Sequence, residues 1–220
     1  MYKCNPFLKD HGLKKIKGII FDCDGVLFDS KDVNIIFYNE VRAYFDLGPM
    51  SDEQIDFVHM HSVGESFRHI LPAGFESELP KIRDRLNYAK LLPYMRMEDG
   101  LVQLLQFIAQ RKLPMAINTN RTTTMNLLLS TFGLEQFFHP VVTADDVSRP
   151  KPHPESLFKI LHYWSVLPEQ VVFIGDSVVD EEAAMRADIP FWAYKNQELS
   201  SRMFIPSFWA LREFLSRNLS

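Results

Sequence analysis

Four short apolar runs recur along the chain, and each ends in polar or turn-forming residues. Lys17-Gly-Ile-Ile-Phe21 leads into Asp22-Cys-Asp-Gly25, and Leu113-Pro-Met-Ala-Ile117 leads into Asn118-Thr-Asn120. Pro140-Val-Val142 leads into Thr143-Ala-Asp-Asp146, and Val171-Val-Phe-Ile174 into Gly175-Asp-Ser177. Runs of this length, bounded by turn formers, predict buried parallel strands. Between them the apolar positions take a helical period. Leu101, Leu104, Leu105 and Ile108 form one stripe, and Thr122 to Phe132 stops at Gly133. Pro154 to Tyr163 opens on proline, and Ser177 to Ala187 carries Asp180, Glu181 and Glu182 in its first turns. Strand–helix alternation predicts an α/β protein with a doubly wound parallel (Rossmann-like) sheet. Ligands of such sheets bind beyond the carboxyl ends of the strands.

Residues 31–92 depart from this pattern. They hold helical segments broken at Gly48-Pro49, Val63-Gly64 and Leu71-Pro72-Ala73-Gly74, with no convincing strand. The expectation is an inserted all-helical module, with residues 1–30 and 93–220 forming the core and hinges near Ser30 and Pro93.

Composition narrows the setting. With 220 residues, 46% hydrophobic and 24% charged, the chain is long enough to bury a core without disulfides or structural metal. Twenty-four basic against 28 acidic residues give a net charge of −4, which argues against nucleic acid as partner. The richest apolar stretch, Leu101 to Ala109, is interrupted by Gln103 and Gln106 and cannot span a bilayer. Met1 to Lys17 is lysine-rich but lacks the apolar core of a secretory signal, and Lys9 to Lys17 reads as a solvated lead-in. The two cysteines, Cys4 and Cys23, suit a reducing compartment. A soluble, cytoplasmic protein is expected; oligomeric state is left open.

The chemistry gathers where the strands end. Asp22 and Asp24 repel one another unless a cation sits between them, and hard cations such as Mg²⁺ take carboxylate ligands. Asp176 could add a further ligand, with Asp180 one helical turn on. Lys151 is framed by prolines in Arg149-Pro-Lys-Pro-His-Pro154, and Thr119 and Asn120 offer a hydroxyl and an amide. Taken singly, each is ordinary: a turn, a helix start, a surface lysine. Together they supply what phosphoryl transfer needs: a carboxylate nucleophile, an acid/base, a metal site, a lysine and neutral donors.

The joint pattern resembles the haloacid dehalogenase superfamily of hydrolases over nearly the whole chain. Asp22-Cys-Asp-Gly-Val-Leu-Phe-Asp-Ser30 resembles the first motif in its phosphatase form. Thr119, Lys151 in Lys-Pro-His-Pro-Glu155, and Gly175-Asp-Ser-Val-Val-Asp180 resemble the second, third and fourth. The resemblance implies a phosphatase acting on a small phosphate ester, phosphoglycolate or a sugar phosphate. It makes Asp22 the nucleophile, Asp24 the acid/base, and Thr119, Asn120 and Lys151 the phosphate-binding groups. It implies Mg²⁺ held by Asp22, the Asp24 backbone carbonyl and Asp176, with Asp180 supporting the metal site or orienting Lys151. Met97-Glu98-Asp99-Gly100 departs from the family and is read as a different helix start. Arg121 could reach a substrate anion but is read first as a solvated helix N-terminus, and Cys23 is read as a buried thiol.

The resemblance makes residues 31–92 a helical cap that sets specificity, with His61-Ser-Val-Gly-Glu-Ser-Phe-Arg68 as the expected segment. A turn is expected at Gly64, and Glu65, Ser66, Arg68 or His69 could face the pocket; alternatively they begin a helix with Phe67 and Ile70 in its core. His59 and His61 do not share a helical face and are not read as metal ligands. Three other functions remain open. A β-phosphoglucomutase-like mutase would carry an arginine where Val63 stands. A dehalogenase would lack Asp24. A non-catalytic binding protein would not need these residues intact.

Overall fold

The computed structural model describes residues 15–61, 63–79, 81–82, 90–122 and 124–219. Cys4, the first part of the basic lead-in and Ser62 lie outside them. The four predicted strands form, and two more extend the sheet. These are β1 (Gly18–Phe21), β4 (Met115–Asn118), β5 (Val141–Val142), β6 (Val171–Gly175), β7 (Phe191–Tyr194) and β8 (Met203–Ile205). The order is β5-β4-β1-β6-β7-β8, and every pair is parallel.

Alternation along each strand sorts its side chains to two faces. Ile19 and Phe21 of β1 join one buried cluster with Leu104, Leu128 and Phe208, while Ile20 joins a second with Leu157, Ile160 and Ala183. Helices α4 (Leu101–Gln110), α5 (Met125–Phe132) and α8 (Phe208–Asn218) therefore cover one face. Helices α6 (Glu155–Trp164) and α7 (Val178–Arg186) cover the other. This is the doubly wound α/β sheet expected from the alternation. No helix among the described residues is long and apolar enough to cross a membrane.

Among the described residues, the 31–92 segment carries three α-helices: α1 (Lys31–Tyr44), α2 (Asp52–Met60) and α3 (Val63–Ile70). Tyr38, Val41, Val58, Phe67 and Ile70 gather in a hydrophobic cluster of their own. A two-stranded antiparallel ladder, β2 (Phe28–Asp29) with β3 (Arg96–Met97), brings the two ends of the 31–92 segment together. The turn expected at Gly64 is not there. The chain is extended at His61, α3 begins at Val63, and Gly64 is a helical residue in its first turn.

The unusual stretch Met97-Glu98-Asp99-Gly100 does start a helix differently. Gly100 precedes α4 with φ 78°, Glu98 accepts hydrogen bonds from Tyr194 (2.9 Å) and Lys195 (2.6 Å), and Asp99 accepts from the Trp209 indole (2.8 Å). A Cβ on Gly100 would lie 3.0 Å from that indole, which is 43% exposed and can swing aside. The left-handed backbone is then the main cost. Gly100→Ala should lower stability by about 1–2 kcal/mol, read by urea titration; no loss would contradict this account of the helix start.

Candidate active site

Three adjacent strands aim their carboxyl ends at one point. Phe21 of β1 is in register with Ile117 of β4 and Ile174 of β6, so the residues after them converge. Asp22 follows β1, Thr119 follows β4 and Asp176 follows β6.

Lys151 reaches into this point from the proline-framed loop and is 3% exposed. Its ammonium donates to Asp22 Oδ1 (2.7 Å), Asp180 Oδ1 (2.6 Å) and the Asn118 carbonyl (3.1 Å). An ammonium has three protons, and all three have acceptors. The neighbouring carboxylates raise its pKa against the opposing effect of burial. The loop itself is clasped by Asn120, whose amide donates to the Lys151 carbonyl (3.0 Å) and accepts from the Lys151 N–H (2.9 Å). The Asn120 side chain therefore holds the lysine loop. Asp180 is fully buried at the start of α7, and its Oδ2 accepts from the Ser177 hydroxyl (2.5 Å) and N–H (3.2 Å). With Oδ1 on Lys151, both Asp180 oxygens are engaged.

Asp22, Asp176 and Asp180 each bring an oxygen within 4.8 Å of the others, a spacing that could hold a metal ion. Burial and the Asp180 charge push the Asp22 carboxyl up to about 7, against the pull of Lys151. Burial, then Asp180 and Asp22, raise Asp176 well above the carboxylate range. Asp176 packs directly against Gly25, which has φ 77°; a Cβ there would overlap the carboxylate. Four carboxylates, Asp24 included, face two cations, Lys151 and Arg121. Two negative charges are left over, and all donors are hard oxygens. The residues fit a divalent cation such as Mg²⁺.

Arg121 is where the sequence reading is corrected. It is 7% exposed, not solvated, and it grips Asp24 with both Nε (Oδ2, 3.1 Å) and Nη2 (Oδ1). Its Nη1 donates to Thr124 Oγ1 (3.2 Å), and its N–H donates to Thr119 Oγ1 (3.1 Å). Burial acts to raise Asp24, but the Arg121 charge and hydrogen bonds, with one from Ser30, outweigh it and lower the carboxyl. The Asp24 carboxylate thus stands apart from the group of three; its expected metal contact was through the backbone carbonyl. Cys23 is fully buried, and desolvation with the Asp24 charge raises its thiol well above the ordinary value.

A cavity of about 340 Å³ opens above these groups, bounded by Asp22, Asp24, Thr119, Asn120, Lys151 and Asp176 below. Of the expected cap segment, His61, Val63 and Phe67 line it, whereas Glu65, Ser66, Arg68 and His69 do not. Phe67 and Ile70 pack in the helical cluster, as the alternative reading had it. His61 lies flat on Phe57, centroids 3.8 Å apart.

The sequence profile of the haloacid dehalogenase-like hydrolases matches residues 19–194. A pyrophosphatase, PpaX, of Oceanobacillus iheyensis is 26% identical over 189 residues, covering 79% of this chain and 81% of the relative. A phosphorylated carbohydrates phosphatase of Thermotoga maritima is 27% identical over 183 residues, covering 79% and 82%. The crystal structure of a HAD-superfamily hydrolase, subfamily IA, variant 1, from Geobacter sulfurreducens superposes with a TM-score of 0.77. It shares 32% identity, over 92% of this chain and 99% of that one.

The Asp24–Arg121 pair can be weighed directly. Breaking a buried pair costs roughly 3–5 kcal/mol, but 31% of the Asp24 side chain is open to solvent. We expect Arg121→Met to cost about 2 kcal/mol and the double variant Arg121→Met/Asp24→Asn to recover about half of it. Equal stability of the single and double variants in urea titrations would contradict the pairing.

Proposed function

The chain belongs to the haloacid dehalogenase-like hydrolase family, and on that premise we propose that it is a Mg²⁺-dependent phosphatase of a small phosphate ester, working through an aspartyl-phosphate on Asp22. The enzyme is a hydrolase of phosphorylated compounds. The observation that carries the finer reading is the Asp22 carboxylate, held by Lys151 at the floor of the cavity. Asp22 attacks phosphorus and the ester bond breaks, while Asp24, having taken up a proton on release from Arg121, gives it to the leaving oxygen. Water then attacks the phosphoaspartate, Asp24 takes its proton, and Asp22 is restored as phosphate leaves. Because Arg121 grips Asp24, that pair has to open as the ester enters. Thr119 and the Asn120 backbone hold the phosphoryl group, and Lys151 offsets its charge. Asp180 fixes the lysine through its fully engaged carboxylate.

Asp22 and Asp176 would hold Mg²⁺ with the Asp24 carbonyl, and the ion would neutralise charge gathered on Asp22 and the phosphoryl oxygens. Residues 31–92 act as a cap over the core of 1–30 and 93–220, a division supported by their separate hydrophobic cluster and by the β2–β3 clasp. Val63 rather than an arginine lines the cavity, and Arg68 is exposed outside it, which disfavours the mutase.

Two measurements test this. Phosphate release from a panel of esters should require Mg²⁺ and fall at least about 10³-fold in Asp22→Asn; wild-type turnover in that variant would overturn the mechanism. The second is stability against pH. Asp22 sits near 7 when folded against 3.8 ordinarily, so folding favours its protonated form. That contribution is complete below about pH 4 and lost as pH rises toward 7. A cation that binds the ionised pair should offset the loss. At a concentration 100 times its dissociation constant at pH 8, Mg²⁺ should raise Tm by roughly 5–10 °C at pH 8, and the same concentration should raise it by much less at pH 5. Equal shifts at the two pH values would contradict a site built on these carboxylates.

A further inference from the structure

The cavity has two unlike walls. Below are the charged groups already described. Facing them, from the helical segment, stand Phe37, Val58, Val63, Phe67, Leu79 and Ile82, all part of that segment's hydrophobic cluster. Polar groups from this side are few among the described residues. Tyr38 is 4% exposed, and Asn34 reaches back to Ser30 Oγ at 3.5 Å. His61 has its Nδ1 on the Phe57 carbonyl at 2.8 Å. The charged residues that the sequence offers for recognition, Glu65 and Arg68, lie outside the wall. Among the described lining residues the cations are Lys151 and Arg121, and both already hold carboxylates.

Such a wall recognises hydrocarbon. A hydroxyl pressed against it loses its water without gaining a partner, which costs roughly tenfold or more in binding for each one. Among the described lining residues, a second anionic group would meet no lysine or arginine beyond those on the floor. The volume, about 340 Å³, lies at the lower end of the roughly 300–1,000 Å³ typical of small-molecule sites.

We propose that the physiological ester carries a compact, hydrocarbon-rich leaving group, aliphatic or aromatic, in place of a polyhydroxylated sugar or a second acid group. This rests on the phosphatase reading and narrows its substrate class. The carrying observation is the juxtaposition of the Asp22–Lys151 floor with the Phe37–Val63–Phe67 wall across one small cavity.

The test compares kcat/KM for three esters with Mg²⁺ present: cyclohexyl phosphate, myo-inositol 1-phosphate, and phosphoglycolate. The first two present rings of the same size, bare or hydroxylated. Cyclohexyl phosphate should be preferred at least tenfold over both others. Equal or better turnover of the inositol ester or of phosphoglycolate overturns the proposal and leaves the phosphatase standing. Turnover of acetyl phosphate alone, with no cyclohexyl ester hydrolysed, overturns it as well. Silence with the three esters and with acetyl phosphate removes the phosphatase reading and this proposal with it. Val63→Thr, which adds a hydroxyl at nearly constant shape, should cut the cyclohexyl-to-inositol preference threefold or more, mainly through KM. A preference unchanged in a variant that melts like the wild type contradicts contact with this wall.

Discussion

One buried ammonium organises the active centre. Lys151 spends its three protons on Asp22, Asp180 and the Asn118 carbonyl, and so ties together the ends of β1 and β4 and the start of α7. Two buried carboxylates cannot share so small a space uncompensated, because desolvation and mutual repulsion each favour protonation. The lysine makes the arrangement tolerable, and its own position depends on Asn120 clasping the loop from which it springs. Asp180, held by Ser177 in the capping box of α7, completes the support. Sheet register, helix cap and proline-framed loop thus serve one charge.

The compensation is deliberately incomplete in physical terms. Lys151 and Arg121 balance two of four carboxylates, and the remaining charge appears as the raised Asp22 and Asp176 carboxyls. A site left acidic in this way could hold a divalent cation, and on the proposed function that charge would offset the phosphate dianion. The segment above contributes the opposite property. Its described inner surface is largely apolar, and on the proposed function that surface would limit water around the phosphoryl group and strengthen the charge–charge interactions beneath. On the proposed function, a charged floor and an apolar wall would divide the labour between chemistry and selection.

Much of this was legible from local patterns. Asp22-Cys-Asp-Gly25, Thr119, Lys151 and Gly175-Asp176 each follow or punctuate an apolar run, and a parallel sheet brings such ends together by construction. What escaped depended on distant partners. Arg121 looks like a helix start, and only the fold brings Asp24, 97 residues earlier, against it. The apolar cavity wall has the same helical period as an ordinary packing face, so over 61–69 the polar Glu65, Ser66, Arg68 and His69 drew the expectation rather than Val63 and Phe67. Gly64 suggested a turn, yet the break falls just before it, where His61 is extended. Strands β7 and β8 went unread although Phe191-Trp-Ala-Tyr194 is an apolar run like the others; its end bears no reactive group to draw notice.

The central claim is that Asp22 carries the phosphoryl group in passing. Its most direct test is rapid acid quench of a single turnover with a ³²P-labelled ester and Mg²⁺, followed by peptide mapping. The account predicts a transient, hydroxylamine-labile label on the peptide containing Asp22, absent from Asp22→Asn. Phosphate released within the same turnover with no label on the protein, or a label that persists in Asp22→Asn, would contradict it.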